Sequence, residues 1–337
     1  PEAVRENDSK TQQYVESLAH RRQRKTLAQG LQLAQLCQEH SIEHLHAHFM
    51  TVSSHVAAIC RLIGGPTFSV TAHAKDIFRE GIDLALFRQT AKIASSLVTV
   101  SHFNERYILN RFFDKERAKV KVIYNGLPLE KLELLGAQAS RQPGEILAVG
   151  RLVEKKGFDV LLQACAELKS AGQSFHLKLV GKGDQASVLE ELVKNLDLSD
   201  YVSFLGALPR EEVVRLMHAA ELLVLPCRRG SDGNSDALPT VLIEALGCGL
   251  PVISTDFVGI PEIVVHEECG ILVSPDDVNG LTDAIARMLG DAPMRMAFAK
   301  VGRARAHALF DRSRTLPQLM DVFVDCIRRS ESGSESS

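Results

Sequence analysis

Short apolar runs alternate with helix-length segments along most of the chain, and that rhythm leaves few folds open. The runs HLHA (44–47), TFSVT (67–71), LVTV (97–100) and KVKVIY (119–124) are separated by stretches whose apolar residues recur at helical spacing. A strand followed by ~10–15 helical residues cannot turn back as a hairpin; it returns by a crossover and pairs in parallel. The segment 127–145 loses the rhythm and reads as a linker. A second series then begins with EILAVG (145–150), HLKLVG (176–181), VSFLG (202–206), ELLVLP (221–226) and PVIST (251–255). Helices are expected between these runs and over about 210–219, 239–247, 278–289, 292–308 and 314–329.

Two such series in 337 residues fit the prior of ~150 residues per domain. The expected fold is α/β, with two Rossmann-like doubly wound parallel-sheet domains over 1–135 and 136–312. A helix over 313–330 is expected to cross back to the first domain, and the Ser-rich 331–337 to be a disordered tail. Four strands are few for a doubly wound domain and Pro1 is not an initiator Met, so the first domain is expected to lack an N-terminal segment; a naturally small domain is the alternative. Residues 1–18 are polar, without signal-peptide character.

Charge and cysteine usage narrow the partners. With 42 acidic against 39 basic residues there is no polycation to seek nucleic acid, and no run approaches the ~18 apolar residues of a membrane span. The seven cysteines are scattered without a CxxC pair, which fits buried thiols in a cytosolic protein rather than disulfides or a zinc site. The cluster Arg21–Lys25 is either a solvated helix face or a peripheral contact with an anionic membrane.

Chemistry concentrates in two loops of the second series. Gly150-Arg151-Leu152-Val153-Glu154-Lys155-Lys156-Gly157 follows its first strand, where open parallel sheets bind ligands. Gly150 allows close backbone approach, the next helix offers its positive end, and Arg151 and Lys156 add fixed cations suited to a diphosphate; a merely solvated basic loop is the alternative. The second loop leads into Ser235-Asp236-Ala237-Leu238-Pro239-Thr240-Val241-Leu242-Ile243-Glu244. Asp236 suits a helix cap and Pro239 a first helical turn. Glu244, on an otherwise apolar helix, is costly to bury alone and is expected to face a cleft and accept hydroxyls such as those of a ribose.

GRLVEKKG, then an acid-x7-Glu element in DALPTVLIEALGCGLPVIST, then GIPEIV, resembles glycosyltransferase family 4, of the bacterial exopolysaccharide or colanic-acid type. HAHFMTVSSHVAAICRLIGGPTFSVTAHAKDIF, VTVSHFNERYI and VIYNGL extend the resemblance over roughly 40–330. It implies a GT-B fold with the active site between two domains, and a retaining, metal-independent transferase. The donor would be a nucleotide-diphosphate sugar, and the acceptor a glycan or lipid-linked saccharide. By the same resemblance Arg151 and Lys156 hold the diphosphate, Glu244 binds the ribose, and Asp236 stands where the first acid meets the donor sugar. Asp in place of Glu is a departure that bears on the sugar contact. Backbone at Gly206 and Ala207 would face the base, and Leu238, Pro239 and Thr240 the phosphates and sugar. His73, just past TFSVT, matches the histidine that approaches the reacting sugar; a structural bond to Asp76 is its other reading.

Other functions stay open at this point. His44, His46 and His48 would share one face of a strand and could ligate zinc as in a metallohydrolase. Gly181–Ala186 satisfies G-x-G-x-x-A, but no acid follows at the next strand end for a dinucleotide ribose. A nucleotide-sugar-binding fragment without transfer activity is the third alternative.

Overall fold

A computed structural model of the chain describes residues 2–18, 23–78, 81–113, 120–136 and 140–334, with side chains from 8 to 329 among them. It divides into two units, Pro1–Tyr124 with Leu316–Ser337, and Asn125–Thr315.

The first unit holds a four-stranded parallel sheet in sequence order: β1 (His44–His48), β2 (Thr67–Ala72), β3 (Ser96–Thr99) and β4 (Val120–Val122). Side chains alternate across it with period two. Phe68, Val70 and Leu97 point to one face, into a core with Ile59 of helix Val52–Leu62 and Ile108 of helix His102–Phe112. Val98 points to the other, where Val322 and Cys326 of helix Arg312–Ser334 meet it and Ile123. That second face is polar on β1 and β2. The residues before the first expected strand are helical too, over Glu2–Ser17 and Gln23–Glu39. Tyr14 anchors the first of these, its hydroxyl 2.7 Å from Thr90 Oγ1 and 3.0 Å from His55 Nδ1. In the Arg21–Lys25 cluster, Arg21 and Arg22 lie outside the described residues.

The second unit has a six-stranded parallel sheet in the order β10-β9-β8-β5-β6-β7. Its strands are β5 (Glu145–Val149), β6 (His176–Val180), β7 (Val202–Gly206), β8 (Leu222–Leu225), β9 (Val252–Thr255) and β10 (Gly270–Val273). Successive strands run outward from β5 on one side and from β8 on the other. The order therefore reverses between β5 and β8, the switch point at which doubly wound sheets take ligands. Leu222, Leu223, Val224 and Leu225 of β8 are all fully buried, on both faces of the sheet.

Three boundaries differ from expectation. The segment 127–145 contains helix Leu129–Leu134, whose Leu129 and Leu132 are buried. Leu127 also exchanges backbone bonds with Phe310 and Arg312, which groups this stretch with the second unit and puts the division at Tyr124/Asn125 rather than 135/136. β10 was not anticipated; it is a four-residue strand at the sheet edge. The last helix runs to Ser334, into the expected disordered tail, whose residues 335–337 lie outside the described ones. All seven cysteines are buried free thiols.

Candidate functional site

The loops after β5 and β8 meet at the switch point, on a floor made of backbone. Gly150 N–H donates to Val180 O at 3.0 Å and Gly181 N–H to Gly206 O at 2.8 Å, linking the ends of β5, β6 and β7. A Cβ on Gly181 would stand 1.8 Å from Gly150 O, so no side chain can be placed there. Gly183 is held likewise, 2.1 Å from Leu152 O, which accounts for the G-x-G spacing by packing alone.

After β5 the chain makes one tight 3-10 turn, Glu154–Lys156, and closes at Gly157 with φ +66°. A Cβ there would meet Pro226 O at 2.0 Å, so Gly157 is required on two counts. It precedes helix Phe158–Ser170, whose first turn has no side-chain cap. The turn buries both Lys155 and Lys156. Their ammoniums take separate oxygens of Asp236, Lys155 Nζ to Oδ1 and Lys156 Nζ to Oδ2, each at 2.6 Å. Gly150 backs onto the Lys156 stem, its would-be Cβ 3.2 Å from Cε. Arg151 is exposed beside them.

The charges hold one another. Burial pushes the Asp236 carboxyl up, but Lys156 and Lys155 outweigh it and keep its pKa below the ordinary value. Burial disfavours the Lys156 ammonium, yet Cys227 and Asp236 together hold its pKa above that of an ordinary lysine, against the like charge of Arg151. The Cys227 thiol is itself pushed to about 12 by burial, so at neutral pH Asp236 is the anion present.

The loop after β8 is fastened to this turn. Arg228 donates its backbone N–H to Lys155 O at 3.0 Å and its guanidinium to Asp159 at 2.8 Å and Asp276 at 2.7 Å. The Ser231 N–H and hydroxyl bond the Glu154 carboxylate at 2.9 and 2.6 Å, holding its pKa down. Leu238 and Pro239 are buried and Thr240 is exposed at the start of helix Thr240–Gly247. Asp236 does not cap this helix: Pro239 occupies the cap position and no side chain bonds the first turn. The reason is charge, because two buried ammoniums need the carboxylate more than free N–H groups do.

Glu244, on that helix, pairs with Arg210 at 2.9 Å, the first residue of helix Arg210–Ala219. Burial raises its pKa and Arg210 only partly offsets this. The partner foreseen as a ribose is, in this structure, a guanidinium three residues beyond Ala207.

In the first unit, His73 precedes the short helix Ala74–Ile77, and its backbone N–H donates to Asp76 Oδ2 at 3.1 Å. The ring turns elsewhere, with Nε2 3.4 Å from His48 Nδ1 and its face against Phe49. Burial, with the neighbouring His48, lowers its pKa to about 4, so the imidazole is neutral at pH 7.

The zinc reading of the histidine strand is overturned by its hydrogen bonds. His44, His46 and His48 do share a face, but His44 meets the Thr67 and Ser69 hydroxyls and His46 those of Ser69 and Thr71, all at 2.8–2.9 Å. Phe323 covers both rings, with centroids 5.3 and 4.9 Å away. Their nitrogens point along the sheet to hydroxyls, not to a common centre.

Of the expected residues, the structure brings together Gly150, Lys156 and Asp236, with Arg151 alongside; Gly206 lies along the floor and Glu244 stands with Arg210. Sequence reasoning missed the parts played by Lys155 and Arg210, and read His48 as a zinc ligand rather than as the neighbour of His73. A clue to Lys155 lay in the sequence: an acid one methylene short of the family pattern opposite two consecutive lysines.

A parallel sheet reversing at β5/β8, with a glycine floor and a buried cationic turn over the reversal, defines a Rossmann-like protein built to hold an anionic ligand. The family model for glycosyl transferases group 1 matches residues 137–305, and that for glycosyltransferase family 4 matches residues 3–131. The chain belongs to the group 1 glycosyl transferases. It is 33% identical over 204 residues to the amylovoran biosynthesis glycosyltransferase AmsK of Erwinia amylovora, covering 60% of this chain and 50% of that protein. It is 28% identical over 261 residues to the putative colanic acid biosynthesis glycosyltransferase WcaL of Escherichia coli K12, covering 68% and 64%. The chain thus spans less than two thirds of the length of these relatives. The fold is GT-B: a sucrose-phosphate synthase from Thermosynechococcus elongatus superposes with a TM-score of 0.74 at 23% identity, over 88% of this chain and 77% of that one. Anabaena HepE in complex with UDP and glucose gives 0.70 at 22% identity, over 87% and 80%.

Proposed function

We propose that the chain is a retaining glycosyltransferase that moves a sugar from a nucleotide-diphosphate donor to a glycan or lipid-linked acceptor in exopolysaccharide synthesis, without a metal ion. The observation that carries this reading is the buried Lys155–Asp236–Lys156 cluster beside Arg151 at the switch point of the second sheet. Three cations against one carboxylate leave a surplus of two charges, the amount a diphosphate carries. Relatives that build amylovoran and colanic acid support the exopolysaccharide assignment.

In the proposed reaction the acceptor hydroxyl attacks the anomeric carbon on the leaving-group side. The bond from that carbon to the diphosphate oxygen breaks as the new glycosidic bond forms, and the acceptor proton passes to the departing diphosphate. Lys156, Arg151 and the uncapped end of helix Phe158–Ser170 stabilise the departing charge; removing one such donor costs on the order of 10²–10³ in rate. The donor is expected to use Gly206 for the base, Glu244 for the ribose, and Leu238, Pro239 and Thr240 along the phosphates and sugar. The neutral His73 suits a hydrogen-bonding contact with sugar hydroxyls rather than charge stabilisation. Among the described residues no helix is long and apolar enough to cross a membrane, and any attachment to an anionic surface would rest on basic side chains.

The test is calorimetric titration of UDP, GDP and ADP, without metal, into the chain and its Arg151→Ala/Lys156→Ala variant. One nucleotide is expected to bind, and about tenfold or more weakly to the variant. Failure of all three to bind would sink the reading. Binding without transfer to a glycan acceptor would keep the donor site and remove the acceptor half of the proposal.

A further inference from the structure

Lys155 and Lys156 are not equivalent partners of Asp236. Lys156 lies under Gly150 at the end of β5, next to Arg151, where a diphosphate would come. Lys155 is fastened to the opposite loop: its carbonyl accepts the Arg228 N–H, and a Cβ on Gly230 would pack 3.7 Å from its own Cβ. Both Arg228 and Gly230 lie on the segment that carries Asp236. Both ammoniums are buried against Asp236, but Lys155 is tied by its backbone to the carboxylate's own loop, whereas Lys156 lies beside Gly150 and Arg151.

We infer that Lys155 is a positioning residue which keeps Asp236 charged and aimed while Lys156 changes partners, leaving Asp236 Oδ2 for the ligand's diphosphate. Oδ2, released, then accepts a hydroxyl from the donor sugar, and Lys155 keeps Oδ1. Without Lys155, the departure of Lys156 would strand a buried carboxylate, which is strongly unfavourable. The site would then resist the diphosphate or take up a proton on Asp236 as the diphosphate binds. This inference rests on the donor-site reading above.

The experiment is a double-mutant cycle on the full chain, using whichever of UDP, GDP and ADP binds the wild type. Lys155→Met should weaken binding about tenfold or more, and the loss should vanish when Asp236→Asn is also present, the double variant binding within about threefold of Asp236→Asn alone. At about pH 8, where the nucleotide's terminal phosphate is already ionised, binding to Lys155→Met should also take up a proton, seen as a difference in heat between PIPES and Tris buffers, whereas wild-type binding should not. Lys155→Arg keeps a cation on Oδ1 and should stay within about threefold of wild type, which serves if Lys155→Met does not fold. Equal losses with and without Asp236 would make Lys155 a direct phosphate ligand and overturn the inference; so would wild-type affinity in Lys155→Met, or a tenfold loss in Lys155→Arg. If no nucleotide binds the wild type, the donor-site reading fails and this inference falls with it.

Discussion

In the second unit, β8 buries Leu222 to Leu225 completely on both faces, whereas β1 of the first unit lines one face with His44, His46 and His48. Both sheets are parallel, yet they place polarity differently. In the second, the charged side chains of the candidate site stand past the strand ends, mostly in the turn 154–157 and the loop 227–239, and β8 is apolar throughout; the polar contacts within the sheet, Lys178 with Glu145 and His176 with Ser203, lie on β5, β6 and β7. In the first, imidazoles and hydroxyls stack within the layer between β1, β2 and the last helix. The lesson is that β8 is stabilised by burial that pH hardly touches, and β1 by neutral rings that acid can charge.

The largest effect should come from damaging the apolar strand β8. Leu223→Ala removes a fully buried side chain from β8 and should cost about 2–5 kcal/mol. Hydrogen exchange in β8 and β9 peptides should accelerate accordingly; protection unchanged there would refute the scaffold description.

Acid should act on the first unit. Burial holds His44 and His46 at about 4 in the folded chain, against 6.5 when unfolded. Below 6.5 the unfolded chain takes up protons that the folded one does not, so this stability is complete above about pH 6.5 and lost as the pH falls toward 4. Exchange protection in β1 and β2 should fall over that window. His46→Gln, which keeps hydrogen bonding toward Ser69 and Thr71 but cannot charge, should flatten the pH dependence. A profile as steep as the wild type's would show that His46 does not carry it.

The smallest effect belongs to Lys121→Met. Its 3.1 Å pair with Asp325 joins β4 to the last helix, but both side chains are open to solvent. Such a pair contributes little, and exchange in β4 should stay within error. A clear loss would mean that the helix leans on this pair more than on Val322 and Phe323.

Much of this contrast was legible beforehand, for identifiable reasons. The strand-and-crossover rhythm placed nine of the ten described strands because each is a short run marked off by segments of helical spacing. β10 escaped, although it is as long as β3, β8 and β9, because only the four-residue helix Ile260–Ile263 separates it from β9, too short to read as a crossover. The loop GRLVEKKG and the acid at 236 were readable because a glycine, two cations and a carboxylate in that order have few other uses. How they pair was not readable: a helix cap for Asp236 is a local rule, and it lost to two buried ammoniums brought in from a loop some 80 residues away. The shared face of the histidines followed from period two alone. Their true partners were equally periodic, since Thr67, Ser69 and Thr71 alternate in step on the next strand.

The last helix has a consequence for the order in which the molecule can be made. The first unit is discontinuous: Val322, Phe323 and Cys326, which cover its sheet, are synthesised after all of the second unit. On the ribosome, the second unit has its whole sequence available once residue 315 has emerged, while the histidine face must wait with its rings uncovered. A chain interrupted near its end would therefore keep the whole sequence of the second unit and still release an open first sheet. The same asymmetry allows residues 125–315 to be expressed as one continuous piece, but never the first unit alone.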